Sequence, residues 1–205
     1  MRGLIGKKIG MTRIFNSVGN AVPVTILEVG PCHVTQVKTI DSDGYDAVQL
    51  GFVETKDKSI TKPLSGHFKK NNVKPAKILA EFKKVPKFDY KPGQTFNVGL
   101  FSEGDFVTVS GVSKGRGFAG TIKKYSFSTQ RKTHGQGDTH RHVGSIGAAS
   151  DPSRVFPGKK MPGRYGNKTV SVKDLEVVLV NENKNQLLVK GSVPGSANGI
   201  VYITR

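Results

Sequence analysis

The feature that most constrains this chain is a glycine-rich, basic stretch from Gly111 to Gly166. Between Lys114 and Lys168 twelve lysines and arginines face two acids, a local charge of +10 within a net +17 for the 205 residues. Eleven of the 25 glycines and three of the five histidines also lie within Gly111–Gly166. A segment so basic and so poor in aliphatic residues cannot bury a hydrophobic core of its own. We therefore expect it to become ordered only when a strongly anionic partner surrounds it.

The overall charge indicates which class of molecule the protein binds. A pI near 10.0 favours a polyanion, nucleic acid ahead of an anionic membrane. Binding to a membrane surface requires apolar residues at helical spacing opposite lysines and arginines, and no long segment has that pattern. No run approaches membrane-spanning length and the N-terminus lacks a signal-peptide core, which predicts a cytoplasmic protein without membrane contact. The single cysteine, Cys32, excludes an intrachain disulfide, and we expect it to be a half-buried strand residue.

Outside the basic stretch the sequence predicts a mainly β fold. Short β-branched or alternating runs recur every 10 to 12 residues in the first 52 residues, separated by turn signals such as Asp43-Gly44. This spacing, with no helical stretch between the runs, predicts an antiparallel barrel or sandwich. The predicted strands are Gly3–Gly10, Val22–Val29, His33–Ile40, Tyr45–Phe52, Ile78–Phe82, Gln94–Leu100, Phe106–Ser110, Thr169–Val172, Leu175–Val180, Gln186–Lys190 and Ile200–Thr204.

Two regions interrupt the strand pattern, so we predict a single β-barrel domain over residues 1–205 with two insertions. Over 54–92, frequent lysines and prolines predict a small irregular α+β insertion, with two helical turns at Lys62–Lys70. Its lysines fit a solvated surface as well as a nucleic-acid contact: Lys69, Lys70, Lys74, Lys77, Lys83, Lys84 and Lys87. The second insertion is a loop over 113–166, and a loop of that length without its own core is typical of a functional element.

Motifs within the basic stretch do not indicate an enzyme or a cofactor. The run Gly115–Gly120 matches a dinucleotide fingerprint, but that chemistry needs a sizeable helix on a parallel sheet, which the following residues do not offer. His134, Asp138, His140 and His142 suggest a metal, yet acids that would support such ligands are nearly absent. We predict no metal, no cofactor, no small-molecule substrate and no catalysis. An RNA-processing enzyme that uses His134, Asp138 and His140 stays as the alternative.

Binding of structured RNA is the interpretation that accounts for the cations, glycines and aromatic residues of the basic stretch together. Lysine and arginine neutralise phosphates, and glycines let backbone N–H groups approach the sugar–phosphate chain closely. Aromatic residues spaced among the cations are typical of a stacking set, although Phe118 and Phe156 fit equally as anchors of the loop's stems. The predicted RNA-binding residues are Lys7, Lys8, Arg13, Lys114, Arg116, Phe118, Lys123, Lys124, Arg131, Lys132, His134, His140, Arg141, His142, Ser145, Arg154, Lys159, Lys160, Arg164 and Lys168.

Several of these runs together resemble the ribosomal protein L3 family of the large subunit, in its bacterial form. The runs inside the loop are SKGRGFAG at 113–120, His134-Gly135, His140-Arg141, GSIG at 144–147 and VFPGKKM at 155–161. The runs outside it are GLIGKKIGMTRIF at 3–15, GHF at 66–68, LVKG at 188–191 and VPG at 193–195. The match runs in order over nearly the whole chain, which makes the combination specific.

The resemblance implies a translation-factor-type antiparallel β-barrel with a small irregular α+β insertion and a long basic extended loop. It implies a structural constituent of the large subunit that binds 23S rRNA, supports early subunit assembly and lies beside neighbouring large-subunit ribosomal proteins. The stems of the loop would be Lys114–Lys124 and Arg154–Arg164. The tip, expected near the peptidyl transferase centre, would comprise Gly144, Gly147, Ala148, Ala149, Ser150, Asp151 and Pro152.

Two positions depart from the family pattern. Some bacterial relatives carry a methylated glutamine where this chain has Ser150, so that modification cannot occur here. Lys124 stands where the family signature usually has arginine, which keeps the charge but loses the bidentate fork. A free-standing barrel that binds nucleic acid outside the ribosome is the third hypothesis, and co-sedimentation with large subunits separates it from the first.

Overall fold

The computed structural model describes residues 3–16, 18–85 and 88–205, which contain twelve β-strands and three short α-helices. The strands are β1 (Gly3–Phe15), β2 (Ala21–Val29), β3 (Cys32–Lys38), β4 (Ala47–Glu54), β5 (Ala76–Lys83), β6 (Thr95–Phe96), β7 (Phe106–Val112), β8 (Phe118–Ala119), β9 (Gly163–Arg164), β10 (Thr169–Asn181), β11 (Gln186–Lys190) and β12 (Ile200–Thr204). The helices are α1 (Ile40–Asp43), α2 (Lys62–Lys70) and α3 (Thr121–Tyr125), with 3₁₀ turns at Asp57–Ser59 and Val98–Leu100. The predicted mainly β fold is confirmed.

Six antiparallel strands close into a barrel in the order β1-β12-β7-β10-β11-β2. Its interior is filled by aliphatic side chains, and Leu4, Leu27, Val109, Leu187 and Ile203 are completely buried. Successive side chains of a strand point to opposite faces, so the alternation in the sequence places one set of residues inside the barrel. Closure also pairs both edges of every strand, which removes the exposed edges of an open sheet.

Strands β7 and β10 hold the two ends of the basic segment side by side. Val112 pairs with Thr169 and Gly111 with Val170, so the barrel ladder extends to the residues that flank the segment. The chain divides into two compact units, one formed by residues up to Ser113 together with Thr169–Arg205, the other by Lys114–Lys168. Within the second unit, the buried residues are Ala119 and Thr121.

A second, four-stranded antiparallel sheet has the order β5-β4-β3-β6. The sequence pattern predicts β3, β4 and β6 as barrel strands, but they pair with one another and with β5 instead. Alternation identifies a buried face without identifying the sheet that supplies the opposite wall, which explains the difference. Helix α2 has the predicted bounds, with Phe68 buried and the His67 ring within 2.8 Å of the Gln49 side chain.

Other differences have local causes. The predicted strand Gln94–Leu100 is reduced to β6 and a 3₁₀ turn, and α1 begins at Ile40, the last residue of the predicted strand His33–Ile40. The two strands predicted between residues 169 and 180 form one strand, β10, whose register shifts between Val172 and Leu175 around Asp174, which has a φ of +55°. Cys32 is fully buried rather than half-buried, and burial raises the pKa of its thiol to about 11.

Candidate nucleic-acid interface

The basic segment begins and ends in a short two-stranded stem. The amide of Arg116 donates to the carbonyl oxygen of Tyr165, and the amide of Tyr165 donates to that of Gly117, both at 2.9 Å. Beyond these bonds β8 pairs with β9, with Phe118 opposite Arg164. Gly166 makes the close approach possible, because it has a φ of +73° and a Cβ there would collide with the carbonyl oxygen of Lys114. Gly166 is therefore needed for the geometry of the stem.

The cations of the segment are largely left without acidic partners. Among the described residues, no lysine or arginine from Lys114 to Arg164 forms an ion pair, whereas six ion pairs lie outside the segment. The eleven cations concerned are Lys114, Arg116, Lys123, Lys124, Arg131, Lys132, Arg141, Arg154, Lys159, Lys160 and Arg164. Their mutual repulsion is uncompensated within this part of the chain, which is the electrostatic pattern of a polyanion-binding surface.

Aromatic rings lie among these cations. The guanidinium of Arg116 lies 5.4 Å from the centroid of the Tyr165 ring, and that of Arg154 lies 5.5 Å from the Phe156 ring. The amine of Lys124 lies 5.0 Å from the ring of Tyr125, which helix α3 contributes. These distances are within the range of cation–π attraction, which fixes the cation and ring relative to each other.

Phe118 differs from the other aromatic residues of the segment in its exposure. Phe118 is 81% exposed although it lies in β8, which pairs with β9. Placing such a ring in water is unfavourable unless another surface covers it, and a nucleobase is a flat apolar surface of suitable size. This exposure is compatible with the predicted contact role of Phe118, which stays a prediction.

The predicted tip, Gly144 to Pro152, consists of exposed residues. The hydroxyl of Ser145 donates to the carbonyl oxygen of Gly147 at 3.1 Å, and the hydroxyl of Ser153 donates to that of Ser150. Ile146 is 45% exposed and provides the largest apolar side chain of the tip. The tip thus presents backbone and small side chains, with Asp151 as its charged group.

The histidines of the segment have separate environments. The ring Nδ1 of His140 donates to the carbonyl oxygen of Arg131 at 3.1 Å, which fixes its tautomer. His134 has a φ of +64°, in the left-handed region. The residues that the structure describes contain no group of three or more histidine, cysteine or acidic side chains positioned to hold a metal ion.

Of the residues predicted outside the segment, Lys8 already has partners in the connection between β11 and β12. Its amine donates to the carbonyl oxygens of Val193 at 2.7 Å and Gly195 at 3.2 Å. Lys7 and Arg13 also lie on β1, and Arg13 is exposed. In the insertion, Lys74 pairs with Glu54 and thereby lowers the pKa of that carboxyl group. Lys87 lies outside the described residues.

The structure also brings together residues that the sequence pattern does not indicate. Gln130 and Thr139 line a cavity together with Arg141 and His142. Gln130 and Thr139 are nine positions apart in irregular backbone, where no periodicity indicates which side chains meet.

Among the described residues, no helix is long and apolar enough to cross a membrane.

Comparison with known proteins gives consistent matches along the chain. Residues 85–187 match the family described as Ribosomal protein L3. The large ribosomal subunit protein uL3 of Thermotoga petrophila is 51% identical over 204 residues, which cover 99% of this chain and 96% of the relative. The proteins of the same name from Chlorobium phaeobacteroides and Petrotoga mobilis are 50% and 48% identical, and the alignments cover 99% of this chain and 98% and 94% of the relatives.

Proposed function

Since this chain belongs to the ribosomal protein L3 family, and is by that membership a large-subunit ribosomal protein, we propose that it binds 23S rRNA through residues 114–168 in a structural, non-catalytic role. The observation that carries the proposal is the set of eleven cations in Lys114–Arg164 that have no ion-pair partner among the described residues. RNA phosphates supply the missing anions, and release of their counterions supplies the favourable free energy.

Different parts of the segment make different contacts in this proposal. The cations bind phosphates and set the register, while glycines admit the sugar–phosphate chain close to the backbone. Phe118 stacks on or beside an unpaired base. Small residues at the tip, Gly144 to Pro152, fit where RNA surrounds the chain on all sides, and we propose that this place is near the peptidyl transferase centre. Recognition then depends on RNA shape more than on base sequence.

We further propose that the protein acts early in assembly of the large subunit, in the cytoplasm, beside neighbouring large-subunit proteins. An inserted segment that requires RNA on several sides is most easily accommodated before the surrounding RNA has closed. The barrel contributes Lys7 and Arg13 as additional phosphate contacts. Lys8 supports the barrel through its two carbonyl partners, which leaves its amine less available to RNA.

Replacing the segment by a tight turn tests the assignment directly. Because Val112 and Thr169 are paired neighbours, a turn of about three residues can join β7 to β10 without disturbing the ladder. We expect the shortened protein to fold, by circular dichroism and cooperative urea unfolding, and to lose most of its affinity for rRNA in filter binding. Equal rRNA affinity for the shortened and complete chains contradicts the proposal.

A salt titration of the complete chain provides an independent measure. The logarithm of the RNA association constant is expected to fall linearly with the logarithm of salt concentration, by about 0.7 to 0.9 for each phosphate contact. Co-sedimentation with large subunits after a moderate salt wash separates a ribosomal protein from a free-standing nucleic-acid-binding barrel. A His140→Ala variant that binds RNA normally but abolishes a wild-type turnover supports the RNA-processing alternative instead.

A further inference from the structure

The basic segment forms an open cavity that a general phosphate-binding surface does not require. Its volume is about 660 Å³, and its polar lining includes the side chains of Gln130, Thr139, Arg141 and His142. Neither of the segment's acids, Asp138 and Asp151, is among the lining residues. The polar side of the cavity is therefore rich in hydrogen-bond donors and contains no carboxylate.

Hydrogen bonds hold the walls of the cavity in place. The amide of Gln130 donates to the carbonyl oxygen of His140 at 3.0 Å, and that of His142 to the carbonyl oxygen of Thr139 at 3.3 Å. The side-chain nitrogen of Gln136 donates to the hydroxyl of Thr139 at 2.9 Å and also to the Gln130 side chain. These bonds tie two separate stretches of irregular backbone together on one side of the cavity.

The strongest donors of the cavity are not used in this scaffold. Neither the guanidinium of Arg141 nor the imidazole of His142 has a hydrogen-bond or ion-pair partner among the described residues. A guanidinium presents five N–H groups in a planar fork that fits the oxygens of a phosphate. The cavity is thus prepared for an anionic group next to Arg141.

The rest of the lining fits a flat organic group. Val143 and Pro162 supply apolar surface, and the glycines at 120 and 144 leave space. The volume lies within the roughly 300 to 1,000 Å³ that is typical of sites for small organic ligands, far above the needs of a single phosphate. We propose that this cavity accepts one unstacked nucleotide of the bound RNA, with its phosphate at Arg141 and its base against Val143 and Pro162.

The inference rests on the proposed function, because the surrounding charge of +10 selects a polyanion over a free nucleotide. Proteins commonly recognise RNA at bulges, where an unpaired base can leave the helix at low cost. A cavity that accepts one nucleotide fixes the position on the RNA at which the segment binds. The segment then recognises a bulge as well as a charged surface.

The test compares hairpin RNAs that differ at one position, with the complete protein and filter binding. One hairpin is fully paired, four carry a single A, C, G or U bulge, and one carries an abasic bulge. We expect at least one base bulge to bind about ten-fold more tightly than the paired and abasic hairpins, as stacking of one base predicts. Equal affinities for all six overturn the inference while RNA binding stands, and binding to none overturns both.

Filling the cavity provides the matched variant. Gly120 has a φ of −68°, and a Cβ there meets nothing within 4 Å, so Gly120→Leu adds volume without backbone strain. Gly66→Leu is the control, because a Cβ at that exposed position in α2 also meets nothing within 4 Å. We expect Gly120→Leu to lower the affinity for the bulged RNA about ten-fold, to that of the paired hairpin, and Gly66→Leu to change neither.

Two further measurements test the proposal even if the Gly120→Leu substitution disturbs the local fold. Arg141→Gln adds no volume and is expected to remove the same preference for the bulge. Competition with inorganic phosphate and with the four nucleoside monophosphates identifies the ligand class. If a bulge preference survives both Gly120→Leu and Arg141→Gln, the cavity does not bind an RNA nucleotide. If inorganic phosphate alone abolishes the preference at micromolar concentration, as well as any mononucleotide does, the cavity binds the anion and not the base, which also overturns the inference.

Discussion

Substitution of Gly166 by alanine tests whether the stem of the basic segment has the described geometry. An L-residue in the left-handed region costs about 1 to 2 kcal/mol relative to glycine. The added Cβ also collides with the carbonyl oxygen of Lys114, so the two stem strands must separate. Separation breaks the two hydrogen bonds that join Arg116, Gly117 and Tyr165, each of which contributes about 1 kcal/mol net. We therefore expect the stem to lose about 3 to 4 kcal/mol.

Gly158 provides the control for backbone strain alone. It has a φ of +82°, close to that of Gly166, but a Cβ there meets nothing within 4 Å. Gly158→Ala should therefore cost about 1 to 2 kcal/mol locally without separating the stem. The difference between the two variants, about 2 kcal/mol, corresponds to roughly a thirty-fold change in the equilibrium for opening.

Native-state hydrogen exchange of the RNA-free chain measures this difference. The reporters are the amides of Arg116 and Tyr165, which donate across the stem. We expect both to exchange about thirty-fold faster in Gly166→Ala than in Gly158→Ala. Amides of the barrel strand β12 should be unchanged in both variants, which shows that the barrel remains folded. Equal exchange of the stem amides in the two variants refutes the steric argument, and with it the close approach of Gly166 to Lys114.

Three further expectations concern the core, the interface and pH. Leu187→Ala, in the fully buried interior of the barrel, should lower the free energy of unfolding in urea by about 2.7 to 5 kcal/mol, whereas Leu179→Ala at a 40% exposed position should cost far less. Arg116→Gln should reduce the salt slope of RNA binding by about 0.7 to 0.9, while Arg116→Lys should keep the slope and weaken affinity. The hydrogen bond from Lys38 lowers the pKa of Glu81, so its stabilisation is present above the ordinary value of 4.5 and is lost as pH falls below it. Glu81→Gln should therefore be slightly less stable than wild type at pH 7, as expected for a surface pair, and the difference should shrink as the pH falls below 4.5.

Much of the barrel could be predicted because its strands follow a simple physical rule. Half-buried strands alternate apolar and polar residues, and β2, β7, β11 and β12 were located within a few residues. The sheet to which each strand belongs could not be predicted by the same rule. Strand β4 has Val48, Leu50 and Phe52 buried, which any buried face would show, and only the pairing partners assign it to the second sheet. Single-sequence patterns do not contain that long-range information.

The candidate site also has features that could be predicted from the sequence and features that could not. Its cations, glycines and aromatic residues were identifiable from composition, because charge and size act wherever the residues lie. Whether each lysine amine is available to bind RNA could not be predicted from composition. Lys8 is an example, because its partners Val193 and Gly195 are more than 180 positions away along the chain. The cavity around Gln130 and Thr139 was equally hidden, because irregular backbone has no period from which proximity can be inferred.

Salt should act on this protein in two opposite directions, and the contrast separates the order of the segment from its affinity. In the free chain, ions screen the repulsion among the eleven cations that lack ion-pair partners in the described structure, so added salt should strengthen a stem with little buried surface. In the complex, the same ions compete with the protein for RNA phosphates and weaken binding. The barrel, with its aliphatic interior, should respond little at moderate concentrations. Stem exchange that slows with salt while RNA affinity falls therefore indicates a segment whose charge opposes its own folding and favours its binding.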